Sequence, residues 1–237
     1  MNPDPLEIEL LAASRARVLE RIAVAASRSG RDPAAVTLVA VSKTVPPERI
    51  ASAAAAGFGV FGENRVQEAE AKLAAAPDAT WHLIGPLQSN KVKRALATFE
   101  TIESVDSVEL AVRLDRLATD VRPGGPVPVL LQVNVDDDPA KAGFQPADLE
   151  RELDGVLALP ALDVRGLMTI GRQVAHAAEA RPTFVGLREF AERLRQAHPK
   201  LGPELSMGMT DDYPLAVEEG ATIVRVGRAL FGEREPE

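Results

Sequence analysis

The chain has 237 residues, 46% of them hydrophobic and 26% charged, with a formal net charge of -8. This size and composition suit a folded protein with a substantial core, as one large α/β barrel or two small domains, and the acidic balance argues against a general grip on nucleic acid. The absence of cysteine excludes disulfides, thiolate nucleophiles, iron–sulfur clusters and cysteine zinc sites.

The opening residues MNPDPLEIELL are acidic, and no apolar run approaches the ~20 residues that span a bilayer, so no membrane segment is expected and cytoplasmic residence is the default. From about Leu6 to Arg28, Leu11, Val18, Ile22 and Ala25 recur at helical spacing and Gly30 supplies a stop, which predicts a helix ahead of the first strand. VTLVAVS is a continuous β-branched run, the pattern of a strand covered on both faces. A helix from near Pro46 to Gly57 follows. The alternation then repeats as VFGEN with VQEAEAKLAAA, WHLIG with SNKVKRALATF, TIESVDS with VELAVRLDRLATDV, and VPVLLQVNV with PADLERELDGVLAL. LDVRGLMTIG precedes a long helix from about Arg181 to Ala197, ELSMGMT leads into DDYPLAVEEG, and ATIVRVG into RALFG.

Eight strands, nearly all followed by a helix and with no linker between them, predict a single (β/α)8 barrel domain over residues 1–237. A doubly wound sheet is the alternative, but no GxGxxG follows the first strand. KVKR, Lys91 to Arg94, reads as a solvated helix face. His82, His176 and His198 have no metal-ligand spacing.

In a barrel the active site lies at the C-terminal ends of the strands. Those ends carry Lys43, then Glu63 and Asn64, His82, Asn134, Met168 and Thr169, Ser206 to Met209, and Arg225 to Arg228. SMGM and VGRALFG follow the seventh and eighth strands, where barrels often bind phosphate; Gly208 and Gly227 would admit backbone N–H groups and a helix would start near Arg228. The competing reading makes both glycines plain turn residues. A strand-end lysine facing such a cradle suggests a Schiff base, either with a phosphorylated sugar or with the aldehyde of pyridoxal phosphate (PLP). A lysine at the end of the first strand is the position used by PLP barrels of the alanine racemase kind.

Five segments then become specific: AVSKT (40–44), FGENRVQEAEAK (61–72), WHLIGPLQSNK (81–91), RGLMTIG (165–171) and SMGMTDDYPLAVEEGATIVRVGRALFG (206–232). Together, and in order over nearly the whole chain, they resemble the pyridoxal phosphate homeostasis protein family. The resemblance implies a TIM barrel like the N-terminal domain of alanine racemase, the PLP fold type III, holding PLP as an internal aldimine on Lys43. By motif position Ser206 and the backbone around Gly227 and Arg228 would hold the phosphate, Arg225 would face the pyridine nitrogen, and Asn64, His82 and Met168 would line the ring. Two positions depart from the family pattern: Arg228 stands where threonine is frequent, and Val45 where a second lysine is frequent. Lys141 matches a lysine-bearing loop of the family, though its plain reading is a solvated loop lysine.

An arginine at the pyridine nitrogen disfavours the pyridinium and weakens the cofactor as an electron sink. Tyr213, the one tyrosine, reads as a partly exposed packing residue rather than a catalytic acid, and ring contact is the more economical role for His82. The expectation is therefore a monomeric carrier that stores, buffers or delivers PLP with little or no catalysis, with apo PLP-dependent enzymes as candidate recipients. The alternative is a fold-type III amino-acid racemase or, less closely, a Schiff-base aldolase.

Overall fold

The structure, a computed structural model, describes residues 4–172 and 174–233. The first helix, α1 (Pro5–Arg28), begins where the Asp4 carboxylate accepts the Leu6 N–H and Pro5 occupies the first turn. It buries the stripe of Leu11, Val18, Ile22 and Ala25 that its periodicity predicts, and Gly30 at φ 68° turns the chain after it. Eight parallel strands follow: β1 (Thr37–Val41), β2 (Val60–Glu63), β3 (Thr80–Leu83), β4 (Thr101–Val105), β5 (Val127–Gln132), β6 (Leu162–Met168), β7 (Glu204–Ser206) and β8 (Ile223–Val226). They pair in sequence order and β8 closes on β1, with Thr37 opposite Ile223 and Ala40 opposite Val226. The predicted (β/α)8 barrel with a leading helix is what forms.

The outer ring contains α2 (Pro47–Ala55), α3 (Val66–Glu70), α4 (Val92–Thr98), α5 (Val108–Val121), α6 (Pro146–Leu157), α7 (Arg181–Ala197), α8 (Tyr213–Glu218) and α9 (Arg228–Phe231). Strand side chains alternate between two environments, the arithmetic of a barrel wall. One set, with Phe61, Leu83, Val129 and Leu131, joins the large core shared with the helices; the other packs inside the barrel, where Val39, Leu130, Met168 and Ile223 meet. On the outer side Phe61 stacks on Trp81 with ring centroids 5.1 Å apart.

Two helices fall short of their predicted lengths: SNKVKRALATF forms a 3-10 turn, Ser89–Lys91, before α4, and the helix after β2 is also broken. The run VQEAEAKLAAA is not a single helix: α3 ends at Glu70, and a 3-10 turn, Leu73–Ala75, follows. Helix propensity would carry the alanines onward, but the Lys72 side chain lies buried against β1 and β2 instead. Tyr213 also differs from expectation. It is wholly buried at the start of α8, with the Arg21 guanidinium of α1 standing 5.1 Å from its ring centroid, because α8 packs under α1 rather than at the barrel mouth.

Candidate functional site

Lys43 stands just past the C-terminal end of β1. Ser42 extends the strand by giving its N–H to the Gly62 carbonyl, and its own carbonyl accepts the Val45 N–H at 3.0 Å. That bond closes a four-residue turn with Lys43 and Thr44 at its centre, and Thr44 takes φ 66°. A positive φ at the third position of a turn is normally met by glycine, and a β-branched residue there is strained.

Behind this turn lies a buried ion pair. Lys72 Nζ donates to Glu63 Oε1 at 2.6 Å and to the Ser42 carbonyl at 2.8 Å, and the Ser42 hydroxyl donates to the same Glu63 oxygen at 2.7 Å. Burial raises the Glu63 pKa, opposed by the bonds from Lys72 and Ser42. Among the described residues no group hydrogen-bonds its second oxygen, Oε2.

Inside the barrel a second polar group spans four strands. Glu103 of β4 meets His82 Nδ1 of β3 at 2.6 Å and accepts the Ser206 hydroxyl of β7 at 2.5 Å. Arg225 of β8 donates to Ser206 Oγ at 2.5 Å and to the Thr169 carbonyl at 2.7 Å, with its guanidinium 3.9 Å from Glu103. Burial opposes ionisation of Glu103, but the bond and charge of His82, with Arg225 and Ser206, outweigh it, so its pKa is lowered. Burial lowers the Arg225 pKa too, against the carboxylates of Glu103 and Asp212.

The structure thus brings His82, Ser206 and Arg225 into one network and sets Met168 on the apolar packing inside the barrel. Asn64, half-buried after β2, lines a cavity of about 660 Å³ shared with Arg65, Gln67, Gln88 and Lys91. Gly227 precedes α9 and its N–H donates to the Thr210 hydroxyl at 3.2 Å. Arg228 is exposed and its guanidinium pairs with Asp211, so the side chain is drawn toward another loop. Gly208 has a packing reason for being glycine: at φ 89°, a Cβ there would come within 2.5 Å of Ala216.

Two residues central to this geometry escaped the sequence reading. Glu103 sits in TIESV, where one acid in an apolar strand was the available signal. Lys72 sits in an alanine-rich helical pattern that gave none. The reading of Lys141 as a solvated loop lysine also changes, since it is half-buried and its ammonium donates to the Gly171 carbonyl at 2.8 Å.

The sequence profile described as "Alanine racemase, N-terminal domain" matches residues 14–235. The pyridoxal phosphate homeostasis protein of Aquifex aeolicus strain VF5 is 42% identical across 92% of this chain and 96% of its own length. The chain belongs to the pyridoxal phosphate homeostasis protein family. A solved structure of PipY from Synechococcus elongatus PCC7942, with PLP bound, is 48% identical, covers 91% of this chain and 100% of that one, and superposes with a TM-score of 0.79. An alanine racemase of Clostridium difficile 630 shares the fold at 14% identity and a TM-score of 0.72, matching 97% of this chain and 58% of the racemase. The expected alanine racemase-like barrel is borne out. Val45, read from the sequence as a departure from the family pattern, is buried.

Proposed function

We propose that this chain binds PLP through Lys43 and serves PLP homeostasis by storing, buffering or delivering it, with little or no turnover of its own. The observation that carries the reading is the 48% identical PipY structure with PLP bound, taken with a lysine on the closing turn of β1. The residues present suit that ligand. An amine on Lys43 can form a C=N bond with the aldehyde carbon, the aldehyde oxygen leaving as water. Apolar side chains of Val39, Met168 and Ile223 lie inside the barrel, and Asn64 and His82 stand at the ends of neighbouring strands. The backbone N–H groups of Arg228 and Ala229 come before the first bonds of α9, which run from Leu230 and Phe231 to the Gly227 carbonyl, and they suit the phosphate.

Bound PLP supplies an electrophilic carbonyl equivalent and an electron sink. Arg225 bears on how strongly that sink acts. A guanidinium stays charged even when buried, and Glu103 and Ser206 hold it in place, so at the pyridine nitrogen it disfavours the added proton. Tyr213 is buried against Arg21 and gives no acid/base group to the site. The reading is therefore a carrier, acting as a monomer, with apo PLP-dependent enzymes as recipients. Among the described residues no helix is long and apolar enough to cross a membrane.

Borohydride reduction after incubation with PLP, followed by peptide mass mapping, tests the assignment. A pyridoxyl phosphate adduct on Lys43 is expected, and its absence overturns the reading. Robust racemase turnover that disappears in Lys43→Ala would replace the carrier with an enzyme.

A further inference from the structure

We infer that Glu63 and Lys72 are positioning residues for Lys43, acting through the Ser42 carbonyl; the inference rests on the proposed role of Lys43. The Ser42 carbonyl is the acceptor that closes the Lys43–Thr44 turn, and Lys72 Nζ donates to that same oxygen. Lys72 is in turn fixed by Glu63, which also holds the Ser42 hydroxyl. One buried ammonium therefore sets both the end of β1 and the start of the turn that carries the reactive amine.

Stability alone does not explain this arrangement. A buried ion pair gains little over a packed apolar pair, because both charges lose their water. Here Glu63 keeps one oxygen buried with no hydrogen-bond partner among the described residues, a further cost. Thr44 adds backbone strain two residues from Ser42. Helix α3 also stops short so that Lys72 can turn inward. Four locally unfavourable choices converge on the segment Ser42 to Val45. A sequence that breaks local rules in one place does so where geometry is being held for a purpose.

The pair sits on the helix-facing side of the barrel wall. Along β1, Val39 faces the interior and Ala40 the helices, so alternation sends Ser42 outward with Ala40 and Lys43 inward with Val39. Glu63 and Lys72 brace the lysine from behind and do not touch what it binds.

The test uses the full chain as Lys72→Met and as the double variant Glu63→Leu/Lys72→Met, which removes both charges while keeping the site filled. Hydrogen exchange of the Val45 amide, whose acceptor is Ser42, is read in the absence of PLP, with the Leu130 and Leu131 amides of β5 as internal reference. Exchange at Val45 is expected to rise by about tenfold with the β5 amides unchanged, and PLP affinity to fall by a similar factor. If the single variant does not fold, the double variant decides. A folded double variant with wild-type exchange at Val45 overturns the proposal, as does a rise shared equally by β5. Failure of the wild-type chain to give a Lys43 adduct would defeat the cofactor reading separately, since Val45 exchange needs no PLP.

Discussion

Glu103 holds Ser206 across the inside of the barrel through a 2.5 Å hydrogen bond, and the hydroxyl that gives its proton to Glu103 receives one from Arg225. Ser206 is thus the joint between a buried carboxylate and a buried guanidinium. The network links β4, β7 and β8 to β3 through His82 and to the end of β6 through Thr169.

Ser206→Ala removes that joint and leaves two charged groups each short of one partner. Stability in urea is expected to fall by ~1–3 kcal/mol, the range for unsatisfied buried polar groups. PLP affinity is expected to weaken by ~1 kcal/mol, whether the hydroxyl acts on phosphate or through Arg225. Unchanged stability would show that the network is not strong, and unchanged affinity would remove Ser206 from the site.

Glu103→Gln tests the charge. The folded-state pKa of Glu103 lies below its ordinary value, so its contribution is complete above the ordinary carboxylate range and is lost as pH falls through the lowered value. Stability at neutral pH is expected to drop by about 3–5 kcal/mol, as when one partner of a buried pair is removed. The variant should then lose less than the wild type on acidification below about pH 4. Denaturant titrations at neutral and acid pH measure both, and equal acid losses would contradict the assignment.

Arg225→Glu alone would place two carboxylates together, so it is made with Glu103→Gln. An acid at that position should favour a protonated ring and shift the absorption of bound PLP toward that species. An unchanged spectrum with unchanged affinity would take Arg225 away from the pyridine nitrogen.

Gly208→Ala puts a Cβ within 2.5 Å of Ala216 on a backbone at φ 89°. Strain and overpacking together should cost about 2 kcal/mol or more, visible as a lowered thermal midpoint. A neutral result would return Gly208 to the plain turn reading.

The barrel was legible because each strand is a short apolar run and each helix an amphipathic one, signals carried within ten or twenty residues. Lys43 was legible for the same reason: it ends one of those runs. Arg225 and Ser206 followed from the ordering of strands, which says which residues reach the mouth. Glu103 was not, because its partners are His82, Ser206 and Arg225, brought to it only by closing the ring. Lys72 was hidden further, since the helical pattern around it is good and its partner Glu63 meets it only in the folded chain. Tyr213 packs at the start of its helix as read, and only its exposure was misjudged, because contact with Arg21 of α1 covers it.

The pairing of β1 with β8 has a consequence for biogenesis. Lys43 is made early and Arg225 late, yet Val39 of β1 lies in register with Arg225 itself, so the wall beside Lys43 is missing until the last strand docks. The other strands pair with their neighbours in sequence, so this closure is the one distant strand pairing and is expected to form last. While the chain is still being synthesised its amine has no cradle behind it. The ring that carries Lys43 is complete only once its two ends have met.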